Sequence, residues 1–187
     1  GHNYTSETST ELSICSVCGE ENKTVPNGGC YISLDGSVYN PGDEFPEEVK
    51  LGDVFVYGEY EYCYKAEYSD GYWKKDLTQI GWGVRVLDKR KTAYESVLTS
   101  INNQPVTSLS YTYFDCDNIV KTPTIPSTIT NLDSTFRQCD SLVDASDLVI
   151  PEGVTCMFAT FCESYALSSA PTIPSTKAMT VALFVTD

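Results

Sequence analysis

Thr135-Phe136-Arg137-Gln138-Cys139-Asp140-Ser141-Leu142 has two counterparts in this chain: Thr112-Tyr113-Phe114-Asp115-Cys116-Asp117-Asn118-Ile119 before it and Thr160-Phe161-Cys162-Glu163-Ser164-Tyr165-Ala166-Leu167 after it. The steps between them are 23 and 25 residues. A second marker keeps the same phase: Ile125-Pro126, Ile150-Pro151 and Ile173-Pro174 step by 25 and 23. Apolar pairs precede each aromatic (Val106 and Leu109, Ile129 and Leu132, Val154 and Met157), and Phe184 lies 23 residues beyond Phe161. Two markers in phase define a repeated unit, and units of this size bury their apolar faces by stacking on their neighbours. The Ile of each Ile-Pro pair reads as a buried rung. The Pro ends the extended run by fixing φ and removing a donor. The phrase Pro123-Thr124-Ile125-Pro126-Ser127-Thr128 returns as Pro171 to Thr176, 48 residues on, which is two units. Cys116 and Cys139 fall on equivalent rungs and are expected to be inert, packed thiols; for Cys156 and Cys162, local pairing stays open.

The flanking composition narrows the function. The chain has 187 residues, 41% of them hydrophobic, and a net charge of -14. Such a charge repels nucleic-acid backbones and anionic lipid, so no nucleic acid is expected as a partner. No run approaches the ~20 apolar residues of a membrane span, so no membrane insertion is expected. Gly1-His2 reads as a cloning remnant, and because it holds the single His, acid-base and metal-catalytic schemes are weakened. No Ser-His-Asp set, phosphate-cradling Gly loop or calcium loop is present, so no enzyme is expected. The eight Cys and the acidic, Tyr/Thr/Ser-rich composition favour an extracellular location with disulfides over a thiol-rich interior.

Upstream of the repeats, residues 1–29 read as a polar tail with a Cys-rich knuckle, Cys15-Ser16-Val17-Cys18-Gly19. A structural zinc on Cys15, Cys18, Cys30 and Cys63 is one reading of these four thiols, and disulfides or simple burial the other. Residues 30–88 predict an antiparallel sheet of four or five strands. Val54, Val56, Tyr60, Tyr62, Tyr64 and Tyr68 are placed on one side and Glu59, Glu61, Lys65 and Glu67 on the other, with a hairpin turn at Ser69-Asp70-Gly71. The dense Tyr and Trp are read chiefly as core, with a sugar-stacking platform as the functional alternative. Residues 89–104 predict a connecting helix, because Tyr94, Val97, Leu98 and Ile101 recur at i, i+3, i+4 and i+7. Residues 105–187 hold three clear repeats and a partial fourth.

The repeat resembles the BspA-type, Treponema pallidum-type leucine-rich repeat. The likeness rests on Ile129-Thr130-Asn131-Leu132, Thr135-Phe136, Cys139 and Leu142 followed by Ile150-Pro151, and it covers residue 105 onward. It implies a curved solenoid with strands near the segments after Cys116, Cys139 and Leu167, on a surface protein of gut bacteria or their prophages. It also implies adhesion and protein recognition and not catalysis. The departures are Cys162 directly after its aromatic and Ser164 where the Cys belongs. The expected fold is mainly β: a small antiparallel sheet followed by a short leucine-rich-repeat solenoid. The expected function is a non-enzymatic extracellular, cell-surface or virion-surface module that binds a protein or glycan receptor. Asp133, Ser134, Arg137, Gln138, Asp140, Ser141 and Asp144 are the exposed, specificity-bearing positions in that reading. A structural subunit of a fibre, filament or phage appendage, assembling with copies of itself, is the alternative.

Overall fold

The computed structural model describes residues 23–174 and the backbone of 180–182. The knuckle Cys15 and Cys18 and the aromatic Phe184 lie outside the described residues. The chain is all-β, with no helix among the described residues. The strands are β1 (Cys30–Ile32), β2 (Val38–Tyr39), β3 (Val54–Tyr57), β4 (Tyr60–Tyr64), β5 (Ala66–Ser69), β6 (Tyr72–Lys75), β7 (Trp82–Val86), β8 (Ser100–Ile101), β9 (Gln104–Ser108), β10 (Cys156–Phe158) and β11 (Thr180–Ala182). Seven of them form one curled sheet in the order β2-β1-β3-β4-β7-β9-β8. The run from β2 to β7 is antiparallel, as expected. β7 and β9, however, are parallel, so the whole sheet is mixed and takes in the first residues of the repeat region.

Strand parity corrects the expected faces. β3 and β4 are joined through Gly58-Glu59, and Tyr57 pairs with Tyr60 and Phe55 with Tyr62. Two-residue turns keep such partners on one side of the pleat. The inner face is therefore Tyr31, Phe55, Tyr60, Tyr62, Trp82 and Val84, while Val54 and Val56 lie on the outer face with Glu61 and Arg85. These inner rings are at most 2% exposed and pack tilted or edge-on, with Tyr31 and Trp82 edge to face at a centroid distance of 6.0 Å. They form the core, and the sheet's aromatic face is no open platform for sugars. The Asp70-Gly71 turn joins β5 to β6 as read from the sequence, with φ of 48° and 82°.

The outer face carries that β5–β6 hairpin. Glu61 accepts from Trp73 Nε1 at 2.7 Å and from both Arg85 Nε (2.8 Å) and Nη2 (3.0 Å), and the Arg85 guanidinium lies over Tyr68. A Cβ at Gly83 would stand 2.0 Å from the Ala66 carbonyl oxygen, so only glycine lets the hairpin cross β7 this closely. Asp53 is fully buried beneath the β1 end. It accepts from Tyr31 Oη (2.6 Å), Leu34 N (2.8 Å) and Lys50 N (2.8 Å).

The connecting helix expected over 89–104 is absent. Tyr94, Val97, Leu98 and Ile101 are buried as the periodicity required, but the backbone that carries the first three is irregular and Ile101 falls in β8. Its amides have found partners outside the segment: Leu98 N donates to Tyr62 Oη and Glu95 N to Glu59 Oε2. Asn102 and Asn103 do not end a helix. They turn β8 into β9 with φ of 46° and 58°, the left-handed pair that short hairpins need and Asn tolerates.

Beyond β9 the units lie edge to edge. Ser108, Asn131 and Cys156 form successive parallel bridges, and Cys156 pairs in turn with Thr180. Leu109 N donates to Asn131 O and Leu132 N to Cys156 O; Tyr113 N donates to Thr135 O and Phe136 N to Thr160 O. Among the described residues of this region, regular strand is confined to β10 and β11, with turns between. These strands precede each unit's aromatic, where the resemblance had placed strands after Cys116, Cys139 and Leu167; past Cys139 only the single bridge Asp144 to Ser169 forms. Tyr113, Phe136 and Phe161 stack face to face at 5.1 and 5.6 Å, with interplanar angles of 5° and 8°.

The motif letters now have causes. The unit Thr hydroxyls reach back one turn: Thr112 Oγ1 donates to Val84 O, Thr135 Oγ1 to Leu109 O and Thr160 Oγ1 to Leu132 O. Cys139 Sγ donates to Tyr113 O at 3.2 Å, and Ser164 Oγ donates to the equivalent Phe136 O at 2.6 Å. The departure from Cys to Ser thus keeps the bond. The residue before each Thr (Tyr111, Ser134, Ala159) and the residue before each Cys or Ser (Asp115, Gln138, Glu163) is left-handed, with φ from 50° to 60°. One continuous apolar cluster runs from Val25 through the sheet to Phe161.

Candidate functional site

The outward face of the stacked units is built from the positions that alternate with the buried rungs. Arg137 and Gln138 project from the second unit and meet the carboxylate of the third. Arg137 Nη2 donates to Glu163 Oε1 at 2.6 Å and Gln138 Nε2 to Glu163 Oε2 at 2.5 Å. The guanidinium holds the Glu163 carboxyl below the usual range. Asp133 is half-buried. Desolvation raises its carboxyl, while the Ser134 hydroxyl bond opposes the shift. Asn131 ties this face to the hairpin: its Oδ1 accepts from Asp133 N, and its Nδ2 donates to Glu67 Oε1 at 2.6 Å. Burial first and the Asp76 and Asp133 charges next raise the Glu67 carboxyl, against the Asn131 bond and Lys74. Phe158 sits beside this group 47% exposed.

Of the positions expected to carry specificity, Asp133, Arg137 and Gln138 come together here. Ser134 does not join them: it is 1% exposed, because its left-handed turn folds the side chain onto Asp133. Asp140 is exposed and Ser141 half-exposed on the following turn. Asp144 faces solvent further on, where its Oδ1 accepts from Ser146 N. The surface also includes Asn131, Phe158, Glu163 and the hairpin's Glu67, which sequence reasoning did not nominate. Phe158 and Glu163 were within reach, since they stand 25 residues after Asp133 and Gln138. Glu67 was not, because only the hairpin crossing at Gly83 brings it near.

The described thiols are not assembled into a site. Cys30 pairs across from Val56 and Cys63 from Val54, so β3 separates them. Two strand spacings are about 10 Å, whereas thiolates on one tetrahedral zinc lie about 4 Å apart. Cys30 and Cys63 therefore do not share one metal, and no three metal-ligating side chains cluster among the described residues. All six described cysteines are free thiols, Cys156 and Cys162 included. Burial pushes the Cys63 thiol up to about 12 and the Cys116 thiol up to about 11, which suits inert packing.

The surface offers hydrogen-bonding amides, carboxylates, a guanidinium and one ring, with no nucleophile set against a base. Comparison with protein-family models, with curated proteins and with solved structures gave no match.

Proposed function

We propose that this chain is a non-enzymatic binding module of an extracellular, cell or virion surface. In this reading its stacked units form a short leucine-rich-repeat solenoid that presents its outward face to a protein or glycan receptor. The observation that supports this most is the division of labour within each unit. Thr, aromatic and Cys/Ser positions repeat the same inward bonds, while the residues between them, Asp133 against Phe158 and Gln138 against Glu163, differ in chemistry at the same place. A fixed interior with varied outward positions is how a repeat protein changes partners without changing fold.

The test is direct. Labelled protein is screened by biolayer interferometry against immobilised mucins, matrix proteins and a glycan panel. Saturable binding to one of them is expected, and it is lost in Asp133→Ala/Phe158→Ala while the unfolding midpoint is held. Absence of binding across the panel, or binding untouched by that double variant, overturns the proposal.

A further inference from the structure

The return segments of the first two units behave differently from the laddered side. Residues 122–125 and 148–150 lie outside the turns, and their inner and outer positions alternate as in extended chain: Pro123, Ile125, Leu148 and Ile150 are buried and Thr124 and Val149 exposed, while Asp147 projects from the turn that Leu148 N closes on Ala145 O. They are not laddered to each other. The backbone amides of Lys121, Thr122, Thr124, Asp147 and Val149 make no hydrogen bond to the described protein. Between them lies a groove of about 400 Å³, walled by Val120, Thr122, Thr124, Asp144, Asp147 and Val149. Val120 and Val149 are 55% and 77% exposed. Asp144 and Asp147 face a single cation, Lys121, and the Ser146 amide keeps the Asp144 carboxyl low and ionised.

Open backbone donors and acceptors along an extended run are a template for one more chain. Exposed valines ask that chain for small apolar side chains, and the two carboxylates ask it for cations. We propose that this groove takes an extended, cationic segment of a protein partner. Its backbone pairs with residues 122–124 and 148–149, its apolar side chains cover Val120 and Val149, and its Lys or Arg side chains meet Asp144 and Asp147. The inference rests on the binding-module reading and assigns it a second face and a peptide class.

The probe is a fluorescein-labelled decapeptide of alternating Lys and Val, with a Glu-Val decapeptide as comparator, at about 0.15 M salt, where surface attraction beyond ~8 Å is screened. Binding of the Lys-Val peptide is expected, with amide shifts at Thr122, Thr124, Leu148 and Val149 in NMR spectra of the whole chain. The variant Asp147→Lys/Val149→Ser is expected to weaken it about tenfold. Glu48→Lys makes the same charge reversal on an exposed residue elsewhere and leaves affinity within about twofold. Equal loss in both variants means general attraction to an acidic protein and overturns the inference. So does no binding below about 1 mM. Shifts confined to Asn131, Asp133 and Phe158 also overturn it, but leave the outward-face reading standing.

Discussion

Replacing Asp53 by Ala unfastens the sheet from beneath. The carboxylate is fully buried and accepts three hydrogen bonds, two from backbone amides and one from the Tyr31 hydroxyl. Truncation leaves the buried Tyr31 hydroxyl and the two part-buried amides without their acceptor, at about 1–3 kcal/mol each, the hydroxyl at the upper end. The partners are not independent, so the expected loss is about 4 kcal/mol, a large share of the ~5–15 kcal/mol of a typical domain. Tyr31→Phe removes only the hydroxyl, leaves the two amide bonds in place and is expected to cost about 1 kcal/mol. Urea unfolding followed by tryptophan fluorescence reads both, because Trp82 packs 6.0 Å from Tyr31 in the same core. Asp53→Asn falls between them: one oxygen still accepts, but the new amide nitrogen is a donor set among donors. A loss below about 1.5 kcal/mol for Asp53→Ala, or equal losses for the Ala and Phe variants, refutes the hub.

Glu67 gives a pH signature. Its carboxyl is raised above 4.5 in the folded chain, so the folded state binds the proton more tightly than the unfolded one. Its contribution to stability is greatest below the unfolded value and is lost as pH rises through the raised one. Urea midpoints between pH 7 and about 4.5 should therefore gain less on acidification in Glu67→Gln than in the parent chain, and parallel profiles would contradict this. Ser164→Ala removes a hydroxyl that donates to Phe136 O and accepts from Cys139 N, for an expected loss of about 2 kcal/mol. Ser164→Cys should recover part of it through the weaker thiol donor, and no recovery would show that the Cys and Ser positions are not interchangeable. Alkylation of native protein at pH 8, read by peptide mass spectrometry, should label half-exposed Cys30 and Cys156 before Cys63, Cys116 and Cys139; six unlabelled, bridged cysteines after denaturation would favour the disulfide reading.

Sequence periodicity located the buried set well because burial is what it encodes. Every aromatic, Cys and Leu/Ile rung of the first two units is buried, as are Val97 and Leu98. It failed where the same burial is compatible with more than one backbone. The 92–101 stripe is satisfied by an irregular strap whose amides bond to Tyr62 and Glu59, two partners contributed by a hairpin more than 30 residues away. Face assignment on β3 failed for a related reason: the two-residue turn at Gly58-Glu59 resets the parity, and alternation read straight through a turn inverts one strand. On the candidate surface, Asp133, Arg137 and Gln138 were legible as outward positions between rungs. Ser134 was not, since its left-handed φ of 50° reverses the direction of its side chain and nothing in a serine announces that.

The left-handed residues carry a last consequence. Six positions, two in each unit, hold φ values that glycine adopts freely, and none of them is glycine. Such a conformation costs a side-chain-bearing residue on the order of 1–3 kcal/mol. Gln138 and Glu163 occupy two of these sites, and they are the side chains that join on the outward face. A glycine in either place would relax the turn and erase the group displayed from it. The corners of the stack are therefore where this molecule can trade rigidity for surface chemistry, and the places where selection for a new partner and selection for a firmer fold pull on the same codon.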